Sequence, residues 1–324
     1  MLYHAIIPKE RRIVKLLIIN NLAAGFGDGA VYDFIRAFIK DGDEVTMRAS
    51  DGTTDIRSQL LDVEDYDLVV AAGGDGTVAA VCYELRGTGI PVLPYPCGTA
   101  NLLSLNIASP NEPHALAKLA REGHRLSFDL GQIEINGNTY GFGIMAGAGY
   151  DAVIMKGAKP HKQLLGPLAY FKAAVSNITP QHSHFTLTLD GQTVESDGVG
   201  ILLVNFSKLQ FDLSVTHKNQ PRDGILDVVV LKAENAVELL PAVGAILLDR
   251  DGGYPKRPEA LELFRAKEVT VQADPPLQLQ FDGEVTGEST PFTARILPGA
   301  IDIAVSDEGF ELFASEEEKA AQES

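Results

Sequence analysis

The chain has 324 residues, 45% of them hydrophobic, and carries a formal net charge of −17. The length suits two domains, and the charge argues against a nucleic-acid partner, because binding a phosphate backbone requires clustered Lys and Arg. The apolar runs are too short to cross a bilayer, so no transmembrane segment is expected. The only two cysteines, Cys82 and Cys97, favour a reducing cytoplasm.

Residues 13–128 alternate between strand-like and helix-like segments. Apolar runs predict strands at 13–20, 44–47, 66–72 and 90–95. Helical spacing predicts helices at 29–42, 55–61 and 77–85. Strands that are apolar on both faces and separated by helices are typical of a parallel sheet, so this part is predicted to be an α/β domain.

The pattern changes near residues 127–129, and apolar and polar residues then alternate around turns. The stretches 125–144 and 185–197 contain "NG" and "DG" and are predicted to be hairpins. Further strands are predicted at 198–206, 225–231, 268–273, 277–282 and 292–297, with helices at 164–178 and 233–248. This part is therefore predicted to be mainly antiparallel β, arranged as a sandwich.

These patterns predict three regions along the chain. The α/β domain would occupy residues 1–128 and be completed by part of 290–313. The β-rich domain would occupy 129–290. Residues 314–324 include the run "SEEEKAAQES" and are predicted to form a disordered acidic tail.

The stretch "VVAAGGDGTVAAV" ends a buried strand in a glycine-rich loop and then starts a helix. Gly73, Gly74 and Gly76 would expose main-chain N–H groups at a helix N-terminus, which favours phosphate, and Thr77 could cap the helix or donate to a phosphate oxygen. Asp75 would repel phosphate unless it meets Mg²⁺ or a hydroxyl about to lose its proton. The alternative is an ordinary strand–turn–helix in which Asp75 only caps the helix.

Two further loops of small residues follow other strands of the predicted parallel sheet. "NNLAAGFG" at 20–27 follows the first strand, and "PCGTAN" at 96–101 follows the last. Because the carboxyl ends of parallel strands lie at one edge of a sheet, the three loops are expected to converge. This convergence favours a nucleotide-binding site over a plain turn.

Four motifs in order, "GGDGT", "GTAN", "GAGYDA" and "FDGE", give the chain a resemblance to the diacylglycerol kinase catalytic-domain family. That family includes bacterial lipid kinases and is related to sphingosine and ceramide kinases. The segments "KQLLGPLAY" at 162–170 and "PRDGILDV" at 221–228 extend the resemblance to nearly the whole chain. It implies an α/β plus mainly β fold: an N-terminal Rossmann-like parallel-sheet domain, similar to NAD kinase and phosphofructokinase, followed by an antiparallel β-sandwich domain.

The resemblance also implies ATP and Mg²⁺ as cofactors and assigns roles to individual residues. The positions expected to contact ATP are Asn21, Gly25, Gly73, Gly74, Asp75, Gly76, Thr77, Gly98 and Thr99. Glu284 is expected to accept the proton of the acceptor hydroxyl, while Asp75 either holds Mg²⁺ or is itself the base. In bacterial relatives an aspartate at the position of Asp223 binds a structural Mg²⁺. That site would consist of Asp223 with the carbonyls of Gln220 and Ile225, and a simple turn is the alternative.

These expectations amount to an ATP-dependent kinase acting on a lipid hydroxyl, with diacylglycerol as the first candidate. Such a protein would be cytoplasmic and meet its lipid transiently at a membrane surface, and the choice between a monomer and a homodimer stays open. Two alternatives remain: an NAD kinase-like enzyme with a soluble acceptor, and a catalytically silent nucleotide or lipid sensor. "GTAN" and "GAGYDA" disfavour the first, and the presence of Asp75, Thr77 and Glu284 disfavours the second.

Overall fold

The computed structural model describes residues 13–24, 29–149, 181–206, 208–209, 213–214, 220–232, 261–282 and 284–323. Four features singled out in the sequence lie outside these residues: Gly25, residues 150–152 of "GAGYDA", the segment 162–170, and the helices predicted at 164–178 and 233–248. Within the described part of the chain, no helix is long and apolar enough to span a membrane.

The first part of the chain folds as alternating strands and helices, as its apolar periodicity predicts. Its strands are β1 (Lys15–Asn21), β2 (Glu44–Ser50), β3 (Leu68–Gly73) and β4 (Val92–Pro96). Its helices are α1 (Ala30–Phe38), α2 (Asp75–Glu84), α3 (Leu102–Asn106) and α4 (Pro113–Glu122). The strands pair in parallel in the order β2–β1–β3–β4, so their carboxyl ends lie along one edge.

Strand β1 shows why this sheet is covered on both faces. Leu16 and Ile18 pack into a core shared with α1 and α4, while Leu17 and Ile19 pack into a core shared with α2. All four side chains are fully buried. Because adjacent residues of a strand face opposite ways, a continuous apolar run is stable only with helices on both sides.

The rest of the chain consists mainly of antiparallel strands. In chain order they begin with β5 (His124–Ile135), β6 (Asn138–Phe142), β7 (Met145–Gly149), β8 (Ser183–Leu189), β9 (Gln192–Gly198), β10 (Gly200–Val204), β11 (Lys208–Leu209) and β12 (Leu213–Ser214). They continue with β13 (Leu226–Leu231), β14 (Leu261–Ala266), β15 (Glu268–Asp274), β16 (Gln278–Phe281), β17 (Glu284–Ser289) and β18 (Phe292–Val305). Both predicted hairpins form, and both residues of each turn, Asn136-Gly137 and Asp190-Gly191, have positive φ, as a type I′ turn requires.

Two sheets face each other in this part of the molecule. One is a six-stranded antiparallel sheet in the order β14–β13–β10–β7–β16–β17. Its inner residues, such as Ala148 and Leu203, pack in one core with residues of β5, β8, β15 and β18, such as Phe185 and Val271. A parallel α/β sheet followed by an antiparallel β-sandwich is therefore the fold, and the predicted fold class is confirmed.

Strand β18 joins both parts into one larger sheet. Its first residues pair antiparallel with β15, and near its end Ile303 pairs in parallel with Val92 of β4. It also pairs antiparallel with β5, with one irregularity between Leu297 and Ile301. The order of the larger sheet is β2–β1–β3–β4–β18–β15–β8–β9, so a strand from residues 292–305 lies beside the parallel strands.

Residues 55–61 differ from the predicted helix. They form a 3-10 turn over Ile56–Leu60, with Asp55 as its N-cap. The guanidinium of Arg48 on β2 donates to the main-chain carbonyl of Gln59 and pairs with the carboxylate of Asp62. These contacts tie the end of the turn to β2.

The C-terminal residues form α5 (Asp307–Phe313) and α6 (Glu316–Glu323), where a disordered tail was expected from residue 314. The Glu318 N–H donates to Ser315 Oγ at 3.2 Å, and the Ser315 N–H donates to the Glu318 carboxylate at 2.7 Å. This reciprocal arrangement is a capping box, which stabilises a helix N-terminus. Glu318 also pairs with both terminal nitrogens of Arg222, at 2.6 and 2.9 Å, and this holds α6 against the loop before β13.

Candidate active site

The end of strand β1 contributes Asn21 to the edge where the parallel strands finish. Its Nδ2 donates to Oγ1 of Thr77 at 2.8 Å, and its Oδ1 accepts from the Ala23 N–H at 2.9 Å. The amide therefore connects the loop after β1 with the start of α2. Gly25, later in the same loop, lies outside the described residues.

The first glycine loop, residues 73–77, connects β3 to α2. Gly74 is the N-cap of α2 with an extended backbone, and Gly76 is exposed in the first turn. A β-carbon at Gly73 would lie 2.5 Å from Cβ of Thr77, and a β-carbon at Gly98 would lie 2.5 Å from Cα of Gly74. The first glycine loop therefore touches the next loop through main-chain atoms, at a separation that only glycine permits.

The second glycine loop, residues 98–101, follows β4 and is closed by Asn101. This residue adopts a left-handed conformation with φ of 49°. Its Oδ1 accepts from the Gly98 N–H at 2.8 Å, and its Nδ2 donates to the Gly98 carbonyl at 3.1 Å. The Cys97 N–H donates to the Gly73 carbonyl at 3.1 Å, which ties this loop to β3 and leaves Thr99 exposed. Sequence reasoning did not assign Asn101 this closing role.

Asp75 is the first residue of α2, and its carboxylate reaches the second glycine loop and the helix that follows it. Its Oδ1 accepts from the Leu103 N–H in the first turn of α3, at 3.1 Å. Burial raises the pKa of the Asp75 carboxyl, while the main-chain N–H groups of residues 101–103 act to lower it. The carboxylate thus links the start of α2 to the start of α3.

The turn of the "FDGE" motif carries a second carboxylate close to the first. Asp282 has φ of 46° and accepts from three consecutive main-chain N–H groups, those of Gly143, Ile144 and Met145, at 2.7, 2.8 and 3.2 Å. Burial raises the pKa of Asp282 to about 7, and the negative charge of Asp75 acts in the same direction. The charge of Asp75 thus bears on the turn that carries Asp282.

Packing of residues 143–145 against α2 accounts for this proximity. A β-carbon at Gly143 would lie 3.6 Å from Cβ of Ala79 on α2 and 3.9 Å from Oδ2 of Asp282. The pKa of the Cys82 thiol on α2 is raised to about 12, mainly by burial and also by the charge of Asp282. The turn between β16 and β17 therefore lies beside the helix that follows the first glycine loop.

Glu284, the predicted base, is the first residue of β17. Its main chain pairs with Phe281 across the turn, and its side chain lies outside what the structure describes. The sequence alone does not single out Asp282, because Asp-Gly is a common turn signal. The main-chain groups that bind its carboxylate lie 137–139 residues earlier, and no local pattern indicates such a contact.

The predicted structural metal site around Asp223 has both carboxylate oxygens engaged by protein groups. Oδ1 accepts from the Ile225 N–H at 3.0 Å, and Oδ2 pairs with the guanidinium of Arg265. Gln220 is exposed beside this turn. Among the residues that the structure describes, no group of three or more His, Cys, Asp or Glu could hold a metal ion. The carboxylate of Asp223 therefore already has a positively charged partner, the guanidinium of Arg265.

Two family models match the chain and together cover most of it. Residues 15–133 match the diacylglycerol kinase catalytic domain. Residues 144–305, half of the chain, match the YegS C-terminal NAD kinase beta sandwich-like domain. The first match contains both glycine loops, and the second contains the "FDGE" turn.

Three curated relatives illustrate the sequence similarity. The chain is 27% identical over 307 residues to a diacylglycerol kinase from Mycobacterium tuberculosis. This alignment covers 91% of this chain and 96% of the relative. It is 26% identical over 267 residues to a diacylglycerol kinase from Staphylococcus aureus. That alignment covers 77% of this chain and 78% of the relative. An uncharacterized protein from Synechocystis is 26% identical over 257 residues, or 76% of this chain, and the chain spans 56% of that protein's length.

Solved structures share the fold at lower identity. A diacylglycerol kinase from Bacillus anthracis has a TM-score of 0.67 and 20% identity, and the match covers 92% of this chain and 99% of that one. An NAD kinase from Archaeoglobus fulgidus in complex with ATP has a TM-score of 0.51 and 11% identity, with 92% and 96% covered. With both domain models matched in order, the chain belongs to the diacylglycerol kinase catalytic-domain family, whose members are phosphotransferases with an alcohol group as acceptor.

Proposed function

We propose that the chain is an ATP-dependent lipid kinase that transfers the γ-phosphoryl group of ATP to a lipid hydroxyl, with diacylglycerol as the acceptor. The observation that carries the proposal is the meeting of two glycine loops, in contact at Gly74 and Gly98, with the carboxyl groups of Asp75 and Asp282. Phosphoryl transfer needs phosphate-binding donors and carboxylates at one place, and this place combines them.

The phosphates of ATP would be bound mainly by the main chain of the first glycine loop. Residues 73–76 lead into the N-terminus of α2, where unpaired N–H groups and the helix dipole favour negative charge. Thr77 accepts a hydrogen bond from Nδ2 of Asn21, so its own hydroxyl hydrogen is directed elsewhere and can be donated to a phosphate oxygen. The other positions proposed to contact ATP are Gly25, Gly98 and Thr99.

Asp75 would hold Mg²⁺, and the residues present fit this ion. Burial is the main cause of the raised pKa of Asp282, and the charge of Asp75 adds to it; a divalent cation would relieve that second contribution. When bound, the ion would neutralise charge on the phosphates. Since the described residues contain no cluster of three or more suitable side chains, water and phosphate oxygens would supply most of the coordination shell.

Glu284 would accept the proton of the acceptor hydroxyl. As it does so, the hydroxyl oxygen forms a bond to the γ-phosphorus, and the bond from that phosphorus to the bridging oxygen of ADP breaks. Asp282 supports this role, because its three main-chain hydrogen bonds hold the turn in place and Glu284 comes directly after that turn. The alternative, Asp75 as the base, is tested by the variants below.

Diacylglycerol is the proposed acceptor because two of the relatives bear the name diacylglycerol kinase. NAD is the competing acceptor, because an NAD kinase shares the fold. A shared fold does not choose between them. A lipid acceptor would be met at a membrane surface, to which the protein would bind transiently from the cytoplasm.

An acceptor panel tests the proposal directly. The purified protein would be given Mg²⁺ and γ-labelled ATP with mixed micelles of diacylglycerol, monoacylglycerol, sphingosine or ceramide, or with NAD in solution. We expect label in diacylglycerol. Label in NAD alone would overturn the lipid assignment, and tight ATP binding without transfer to any acceptor would favour a silent sensor.

Two variants test the assigned roles. Asp75→Asn and Glu284→Gln are each expected to lower transfer by a factor of about 10² to 10⁴ while the circular dichroism spectrum stays unchanged. Asp33→Asn, on the exposed face of α1, is the matched control and should keep full activity. Loss of metal coordination predicts a shifted Mg²⁺ dependence for Asp75→Asn alone, and full activity of Glu284→Gln would remove Glu284 from the role of base.

A further inference from the structure

The loop before β13 is surrounded by charged groups of the chain itself. It contains Asp223 and borders an open cavity of about 420 Å³ that is also lined by Asp129, Arg222 and Lys267. The sequence resemblance predicts a structural Mg²⁺ at Asp223, with carbonyl oxygens as further ligands. The contacts of this loop therefore show what this chain uses to neutralise that carboxylate.

Both oxygens of Asp223 are engaged. Oδ1 accepts from the Ile225 N–H at 3.0 Å, and Oδ2 accepts from Nη2 of Arg265. A metal ion bound to the same carboxylate would lie beside the positive charge of Arg265, which would repel it. Mg²⁺ also demands near-octahedral oxygen ligands, whereas a guanidinium is satisfied by planar hydrogen bonds.

Arg265 is held in place by the sheet. It lies on β14 directly opposite Asp227 of β13, and its Nε donates to Asp227 Oδ1 at 3.1 Å. Asp227 is separated from Asp223 by one short turn, so a single guanidinium pairs with both carboxylates. A cross-strand anchor of this kind fixes the cation without any external ion.

Two other charged groups beside the loop, Asp129 and Arg222, also have partners within the chain. Asp129 accepts from the Gly299 N–H through Oδ1 and from the Gly224 N–H through Oδ2, each at 2.7 Å. Its own N–H donates to the Pro221 carbonyl at 2.9 Å. Arg222 pairs with Glu318 of α6. The four carboxylates around the loop therefore all have donors from the chain.

We propose that the guanidinium of Arg265 takes the place of the structural Mg²⁺ expected at Asp223, so that this loop folds without a metal ion. The proposal concerns the loop alone and does not depend on the kinase activity or on an ion at Asp75. It predicts that the stability of the chain does not respond to Mg²⁺ at this site, and that removing Arg265 creates a response.

Thermal unfolding without nucleotide tests this, in an Asp75→Asn background that removes the other proposed ion site. In EDTA and in millimolar Mg²⁺ the parent should unfold at the same temperature. Adding Arg265→Gln should lower the unfolding temperature in EDTA by about 2–4 °C, and Mg²⁺ should restore part of it, because Asp223 and Asp227 then lose their shared guanidinium partner. The matched control is Arg295→Gln, an exposed arginine paired with Glu134, which should show no Mg²⁺ response. A parent stabilised by Mg²⁺, with the effect abolished by Asp223→Asn, would overturn the proposal.

A direct binding measurement covers the case in which Arg265→Gln does not fold. Electron paramagnetic resonance of Mn²⁺ would count bound ions in the Asp75→Asn protein with and without Asp223→Asn. We expect the same count in both. One ion bound by the parent and lost with Asp223→Asn would show that Asp223 is a metal ligand after all.

Discussion

The contact between the two glycine loops makes Gly98→Ala the sharpest test of the candidate active site. The new β-carbon would lie 2.5 Å from Cα of Gly74, where unstrained carbon atoms lie about 3.5–4.0 Å apart. The loops would have to separate by about 1 Å, at a cost of about 1–3 kcal/mol, since main-chain atoms cannot rotate away. A displacement of about 1 Å at reacting groups lowers the rate about 10²-fold, so kcat/KM for ATP should fall by about that factor.

Steady-state kinetics with varied ATP would measure this loss, and thermal unfolding would measure the strain. Gly74→Ala is the control for strain, because its β-carbon would lie 3.6 Å from Gly98 Cα, an ordinary contact, and the unfolding temperature should barely change. Gly29→Ala, with open space around its β-carbon, is the control for activity. If Gly98→Ala matched the parent in both measurements, the two loops would not be in contact as described, and the proposed phosphate site would lose its basis.

Three further predictions concern the groups around these loops. The pKa of Asp282 is raised from 3.8 to about 7. Its contribution to stability is therefore complete below pH 3.8 and is lost as the pH rises through about 7. Asp282→Asn should flatten the dependence of the unfolding temperature on pH across this range. The ion pair with Arg222 lowers the pKa of Glu318 from 4.5 to about 2, so its stabilisation is present above pH 4.5 and lost as the pH falls through about 2. Glu318→Gln should therefore cost about 1 kcal/mol at neutral pH by denaturant unfolding and very little at pH 2. Asn21→Ala removes the donor that orients Thr77 and should raise KM for ATP about fivefold to tenfold, and an unchanged KM would argue against that role.

The parallel half of the fold could be predicted because its signal is local. The apolar run that includes Leu16 to Ile19 requires cover on both faces, and only helices before and after the strand can supply it. The predicted helix at 55–61 failed for the opposite reason. The segment forms a 3-10 turn tied to β2 by Arg48, and periodicity within the segment carries no information about that contact.

Some features of the candidate site can also be predicted from the sequence, and others cannot. The glycine loops are visible in the sequence because glycine, aspartate and threonine are unusual at the end of a buried strand. The carboxylate of Asp282 and the pairing of Arg265 with Asp223 depend on registers between distant strands, so residue order alone does not indicate them. The capping box of Ser315 and Glu318 is different, since its spacing is a known helix-start signal and was obscured by the acidic composition around it.

The path of β18 has a consequence for how the chain is made. Val92 of β4 finds its neighbour Ile303 only after about 200 further residues have been synthesised. Until then the nascent chain presents an unpaired strand edge at the ribosome, the kind of surface that recruits other chains. The α/β half is therefore not a separable module, and a gene fragment that stops at residue 128 would encode a protein in which β4 lacks its neighbour β18.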